Sequence, residues 1–164
     1  MFSLIAMVLL SADNQMYKLI ESSKTAALGS MQKDTPFISL VPYAIDKTGN
    51  PIIFISDMAV HTKNLQKTAS CSLMMSKENK EDVFNSQRVT FLGKMEKVPE
   101  KEIEEVKKAY LEKYPDQEYL MELDDFAFYR MKITKIYYVG GFGDINWIAI
   151  DEYLKHWNKE LKND

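Results

Sequence analysis

"DFAFYRMKITKIYYVGGFG", Asp125 to Gly143, is the stretch that decides the fold. Aromatic and β-branched residues crowd it, as they do in strands. It runs straight into Gly140, Gly141 and Gly143, three of only six glycines in the chain. Glycines behind a strand supply backbone that can reach positive φ and let a flat ligand or a second subunit come close. A plain turn is the simpler reading of the same residues. The cluster is not G-x-G-x-x-G and opens no well-marked helix, so a dinucleotide fingerprint fails on context, and a P-loop fails for want of Gly-Lys-Ser/Thr.

Outward from that strand, the period of the apolar residues alternates between two and about three and a half. "TAALGS" is short and apolar. "PFISLVPYAID" sets Phe37, Ser39, Val41 and Tyr43 against Ile38, Leu40, Pro42 and Ala44, and "DKTGN" suits a hairpin turn into "PIIFIS". "DMAVHTKNLQKT" reads as a short surface helix, "CSLMMS" as a buried strand and "SKENKEDVFNS" as a polar crossing without period. "RVTFLGKMEKV" is a strand in which Gly93 marks a bulge or bend. A helix starting at Pro99 carries Ile103, Val106, Tyr110 and Tyr114 on one stripe and stops at Pro115. Two more helices are expected: Met16, Leu19 and Ile20 repeat at helical spacing before Ser22, after the candidate caps Ser11 and Asp13, and Leu154, Trp157 and Leu161 do so after Asp151. About six strands and three or four helices, with no βαβ rhythm, predict a single α+β domain, a six-stranded antiparallel barrel with peripheral helices.

Composition bounds the function. A chain of 164 residues that is 46% hydrophobic holds one sizeable core. Its net charge of -3 lacks the clustered excess of Lys and Arg that nucleic acid demands, so no nucleic-acid partner is expected. The single cysteine, Cys71, rules out an internal disulfide framework and fits a reducing, cytoplasmic location. Its place in an apolar strand suits a buried structural thiol. His61 and His156 lie far apart in the sequence and the single cysteine adds no second ligand motif, which predicts no metal site. The opening "MFSLIAMVLL" is shorter than the roughly 20 residues of a membrane span; it reads as a first helix or as an over-extended start upstream of Met7 or Met16, with an export signal as the lesser alternative. No membrane partner is expected.

Taken in order, "SLVPYAID", "ISDMAVHTKNL", "RVTFLGKME", "DDFAFYRMKITKIYYVGGFG" and "NWI" resemble the haem-utilisation branch of the pyridoxamine 5'-phosphate oxidase-like flavoproteins, over about residues 17–153. "HTKNL" together with "YVGGFG" is the most specific part. The resemblance implies an FMN-binding split β-barrel that works as a homodimer on a small planar ligand. It places FMN phosphate near "SDMAVHT", with Ser56, His61 and Thr62 as candidate contacts; a helix N-terminus suits a phosphate, and a histidine can donate from either ring nitrogen. Arg88 falls where the wider superfamily has a polar FMN contact, and its guanidinium would offer a fork of donors. Ser39, Pro42 and Tyr43 belong to the strand that runs beside the flavin ring, and Gly141 and Phe142 to the loop at the dimer interface. Each has a plainer reading as surface or core. Asp125 reads as a structural hydrogen-bond acceptor.

Departures from the family narrow the activity. True pyridoxamine-phosphate oxidases carry extra C-terminal basic residues for the substrate phosphate, whereas "DINWIAIDEY" has acids and no Arg. Vitamin B6 oxidation is therefore not expected. Asp144 and Asn146 stand where many haem-branch relatives have small or basic residues and a histidine. The expectation is an FMN-dependent oxidoreductase of unknown substrate, haem being one option; the alternative is a protein that binds FMN or haem, or docks a partner, without turnover.

Overall fold

A computed structural model describes residues 15–160. The expected start "MFSLIAMVLL" and the caps Ser11 and Asp13 lie outside the described residues. Helix α1 is helical at residues 15–22, with Met16, Tyr17, Leu19 and Ile20 buried and Lys18 and Glu21 exposed, the one-sided pattern that packs a short helix on a core. Strands β1 (Thr25–Gln32), β2 (Thr35–Pro42), β3 (Ala44–Ile45) and β4 (Pro51–Ser56) follow, then α2 (Val60–Lys67), β5 (Ser70–Lys77) and β6 (Gln87–Lys97). Helix α3 (Ile103–Lys113), β7 (Phe126–Gly141), β8 (Asp144–Ile148) and α4 (Ile150–Glu160) complete the described chain. Short 3₁₀ turns at Val83–Asn85, Glu100–Glu102 and Pro115–Glu122 lie between them.

One curled antiparallel sheet runs β2-β1-β5-β6-β7-β4-β3, with β8 added on β7. The opening stretch of sequence is its spine. Strand β7 is 16 residues long and pairs with β6 along one edge. Its other edge is shared: Phe126 to Arg130 pair with β4, and Ile136 to Gly141 with β8. Two strands taking successive halves of one long strand give the split, half-closed barrel.

The sheet departs from the sequence reading in two places. "PFISLVPYAID" is one apparent strand, yet it breaks at Tyr43. Its long first part pairs back onto β1, so the expected hairpin with "PIIFIS" survives as two residue pairs, Ala44 with Ile52 and Ile45 with Pro51. "DINWI" is an additional strand, β8. Six long strands plus the short β3 and β8 are close to the expected barrel.

The bulge expected at Gly93 is present. The β6–β7 register shifts between Leu92 and Gly93, and a Cβ at Gly93 would stand 2.1 Å from the Lys132 carbonyl oxygen. Only a bare α-carbon admits that approach.

Two apolar clusters fill the interior. The larger joins α1 to the concave face of the barrel through Leu28, Ile53, Leu73, Phe91, Met131 and Tyr138. The smaller packs α3 on the outer side of β4 and β7 through Phe54, Val106, Tyr110 and Phe128, as the stripe on α3 predicts. Asp46 fastens the β3–β4 turn. Its buried carboxylate accepts from Thr48 N, Asn50 N and Arg130 Nε, and Arg130 also pairs with Glu102 at 2.5 Å, so the charge is compensated. Cys71 is half-buried, and desolvation pushes its thiol up to about 12, which leaves it inert at neutral pH. Among the described residues no helix is long and apolar enough to cross a membrane.

Candidate functional site

The predicted site residues fall into two groups on different parts of the sheet. The first is the corner where β4 turns into α2. Ser56 Oγ donates to Asp125 Oδ2 at 2.6 Å and accepts from Met58 N at 3.1 Å, while Asp57 N donates to the Asp125 carbonyl. Asp125 thus serves as the structural acceptor expected of it. Thr62 is fully buried and donates Oγ1 to the Ser56 carbonyl at 2.6 Å. Both hydroxyls are engaged in forming the turn.

What the corner leaves open is backbone and one imidazole. Helix α2 starts behind Ala59 with no side-chain cap, and Lys63 N is the amide that closes its first turn, onto the Ala59 carbonyl. The amides of Val60, His61 and Thr62 therefore point out of the helix start, an arrangement that attracts an anionic group. His61 Nδ1 lies 3.2 Å from Ser39 Oγ on β2, and burial lowers the imidazole pKa. At neutral pH the ring is uncharged, with one nitrogen donating and one accepting. Ile38 and Leu40 flank Ser39 on β2, point to the opposite face of the strand and are each 73% exposed, an apolar wall without a cover in the single chain.

Pro42 ends β2 beside this wall, half-buried. Tyr43 is turned the other way. It is fully buried, its hydroxyl donates to the Ile20 carbonyl, and its N–H and C=O both bond to the Tyr114 hydroxyl. The Lys113 ammonium sits 4.1 Å above its ring. Tyr43 has no exposed surface for a ligand in the single chain, so its expected place beside the flavin ring is corrected: it continues the inward-facing set of Ser39 and Val41 and belongs to the core.

The second group sits where β6, β7 and β8 meet. Arg88 is exposed, in register with Val139, and its guanidinium contacts only the Ser86 carbonyl, at 3.2 Å, among the bonds of the described chain. The glycine cluster forms the β7–β8 hairpin turn, in which Gly143 has φ +82°, a left-handed conformation that favours glycine. A Cβ at Gly140 would stand 2.0 Å from Asp144 Oδ2. Phe142 N donates to Asn85 Oδ1 at 2.9 Å, and its ring is 82% exposed at the tip.

The two groups do not converge within one protomer. Ser39 on β2 and Arg88 on β6 are separated by β1 and β5, three strand spacings, or about 14 Å along the sheet. Sequence reasoning also missed two residues. Asn64, buried, donates to Ser30 Oγ and locks α2 to β1, and Asn85 tethers the glycine turn. Asn64 lies inside "HTKNL" at a position where a polar residue on a helix reads as surface. Asn85 lies in the aperiodic crossing and carried no signal.

A family model described as CREG, beta-barrel matches residues 15–155. The chain belongs to the CREG beta-barrel family. Within that family frame, it is 35% identical over 106 residues to the non-canonical heme oxygenase HOZ, chloroplastic, of Arabidopsis thaliana, a match covering 65% of this chain and 32% of that protein. The match thus spans about a third of the curated relative. Among solved structures, a heme binding protein from Mycobacterium smegmatis superposes with a TM-score of 0.79 at 24% identity, covering 88% of this chain and 60% of that one. HutZ, described as the heme storage protein from Vibrio cholerae, gives 0.71 at 22%, covering 80% and 96%. A putative pyridoxamine 5'-phosphate oxidase from Listeria innocua gives 0.64 at 12%, covering 78% and 98%. At these identities the superpositions establish the split-barrel fold and nothing finer.

Proposed function

We propose that this chain is an FMN-binding flavoprotein that acts as a homodimer in the cytoplasm and carries out redox chemistry on haem or another large planar substrate, not on vitamin B6. The observation that carries the reading is the split of the site. The bare amides of α2 and the His61–Ser39 pair offer an anion site on one face of β2, Ile38, Leu40 and Pro42 form an apolar wall on its other face, and Arg88 lies three strand spacings from Ser39, with Gly141 and Phe142 at the end of β7 away from its pairing with β4. A two-fold dimer completes the site by setting one protomer's corner against its partner's edge, so that each interface is used twice. It also covers Ile38, Leu40 and Phe142, which a single chain leaves in water.

The residues present fit FMN in kind. Phosphate suits the α2 amides, with neutral His61 as a further donor. Arg88 supplies a charged fork for phosphate or ribityl oxygens. An apolar wall with few polar groups suits a flat ring. Ser56 and Thr62 act by shaping the turn that presents the amides, since their hydroxyls are engaged. When bound, the flavin supplies the redox chemistry, and the protein supplies binding and orientation.

Haem handling as the physiological role draws on the likeness to the Arabidopsis heme oxygenase, the mycobacterial heme binding protein and the Vibrio heme storage protein. An absorption spectrum of the purified protein, before and after adding FMN and separately haemin, tests the whole. A flavin spectrum that bleaches with a nicotinamide donor supports the oxidoreductase. Haem uptake with no flavin binding would instead make this a binding protein, and a colourless protein that takes up neither would overturn the reading.

A further inference from the structure

At the far end of β8 from the glycine turn, an open cavity of about 520 Å³ lies between the middle of β7, the last residues of β8 and the first turn of α4. Thr134, Lys135, Ile136, Trp147, Ile148 and Asp151 are among the residues that line it. Its size is that of a small-molecule site. The candidate flavin residues are not in its lining.

Its floor is unusual for a sheet edge. Trp147 is 63% exposed on the edge strand β8, where a large apolar side chain invites unwanted pairing and proteins normally place charge. Cross-strand register sets it against Tyr137, with ring centroids 4.9 Å apart, so the two rings form one aromatic surface. Lys135 follows the same face of β7 and holds its Nζ 6.0 Å from the Trp147 ring. Lys135 makes no ion pair among the described residues, whereas Asp151 stands on the α4 side of the cavity.

We infer that Trp147, Tyr137 and Lys135 form a shelf that binds a planar aromatic anion, with its ring on the Trp147 indole and its negative group toward Lys135. Stacking suits the exposed indole face because any flat π-system satisfies it. Lys135 gives the anion a side, and Asp151 bars it from the opposite wall. The shared chemistry, a flat ring bearing carboxylate or phosphate, belongs to a porphyrin dicarboxylate and to a nicotinamide nucleotide alike. The shelf does not require the flavin reading.

Binding of haemin and of reduced nicotinamide dinucleotide to the full chain tests this, each followed by the probe's own absorbance or fluorescence. Saturable binding of at least one probe is expected. W147A weakens it by about tenfold or more, the equivalent of losing one stacked ring. K135E weakens it by about threefold and D151N strengthens it by a similar factor, as charges at a solvated site do. The probe that binds identifies the source of the ring. Saturable binding of neither probe to the wild-type chain, or equal affinity in W147A, overturns the shelf, and so does a K135E variant that binds as well as wild type. FMN uptake, followed by flavin absorbance in the same W147A protein, is expected to be unchanged. Loss of FMN binding in wild type with haemin or nucleotide binding intact would reject the flavin reading and leave the shelf standing.

Discussion

The β4–α2 corner and the β6–β8 edge hold nearly all the residues singled out from the sequence, and they use them in opposite ways. In the corner, polar side chains are spent on the fold: Ser56 and Thr62 bond within the turn, and Asn64 locks α2 to β1. Only backbone amides and His61 remain to meet a ligand. At the edge, the side chains are unspent. Arg88 lies in solvent with a single carbonyl contact, and Phe142 and Trp147 expose most of their rings. A polar residue named for a ligand can be consumed by structure, while an apolar one left outside asks for a partner. Mutations at the corner should therefore read out as stability, and mutations at the edge as binding.

The largest effect is expected in the strand pair that carries the edge, at Gly93→Val. The new side chain meets the Lys132 carbonyl carbon and oxygen, which are backbone and cannot turn aside. A loss of about 3 kcal/mol, the upper range for overpacking, should appear as a lowered urea midpoint. Tolerance of valine there would mean that the β6–β7 register can slip, and the edge would lose its fixed position. Thr62→Val comes next. It removes the buried Thr62 hydroxyl that donates to the half-buried Ser56 carbonyl and should cost about 1–3 kcal/mol. A neutral result would break the contrast by showing that the corner hydroxyls are free for a ligand.

Lys113 lies apart from both regions, between the Ser23 carbonyl and the Tyr43 ring, and its effect is a slope with pH. Burial holds its ammonium down at about 8, against the usual 10.5. Between those values the unfolded chain keeps the proton that the folded chain releases, so this group's contribution to stability rises with pH across that window. Below about 8 both states are protonated and the contribution levels off. The stability difference between wild type and Lys113→Met, measured by urea unfolding at pH 7.5 and 9.5, should shift in favour of wild type at the higher pH. A pH-independent difference would mean that Lys113 titrates as a solvated amine.

The smallest change in stability, within about 0.5 kcal/mol, is expected for Arg88→Ala and Phe142→Ser at the exposed edge. Their effect should appear elsewhere, as weaker FMN uptake for Arg88→Ala and a lower molar mass in light scattering for Phe142→Ser. Unchanged uptake and mass would remove the edge from the site.

Periodicity made most of the fold legible. The strands around β7, the stripe on α3 and the bulge at Gly93 depend on near neighbours and on side-chain type, which a linear sequence displays. The β2–β4 hairpin was misjudged because "PFISLVPYAID" has one continuous alternation, while pairing is decided by which strand edge is free; β1 takes β2, and β7 takes β4. The corner was legible as a motif but not as chemistry. No spacing reveals that Ser56 and Thr62 are engaged with Asp125 and with the turn itself.

The sequence by itself determined a single barrel-forming chain with a glycine cluster behind its long strand, a short helix after "PIIFIS", and too little positive charge for nucleic acid. These follow from residue type and local period. Only the tertiary structure decided that Tyr43 faces the core, that His61 meets Ser39 from 22 residues away, and that Ser39 and Arg88 lie three strand spacings apart. Those facts depend on long-range strand order, and the free energy that sets it comes from burying whole faces together, which no short stretch encodes.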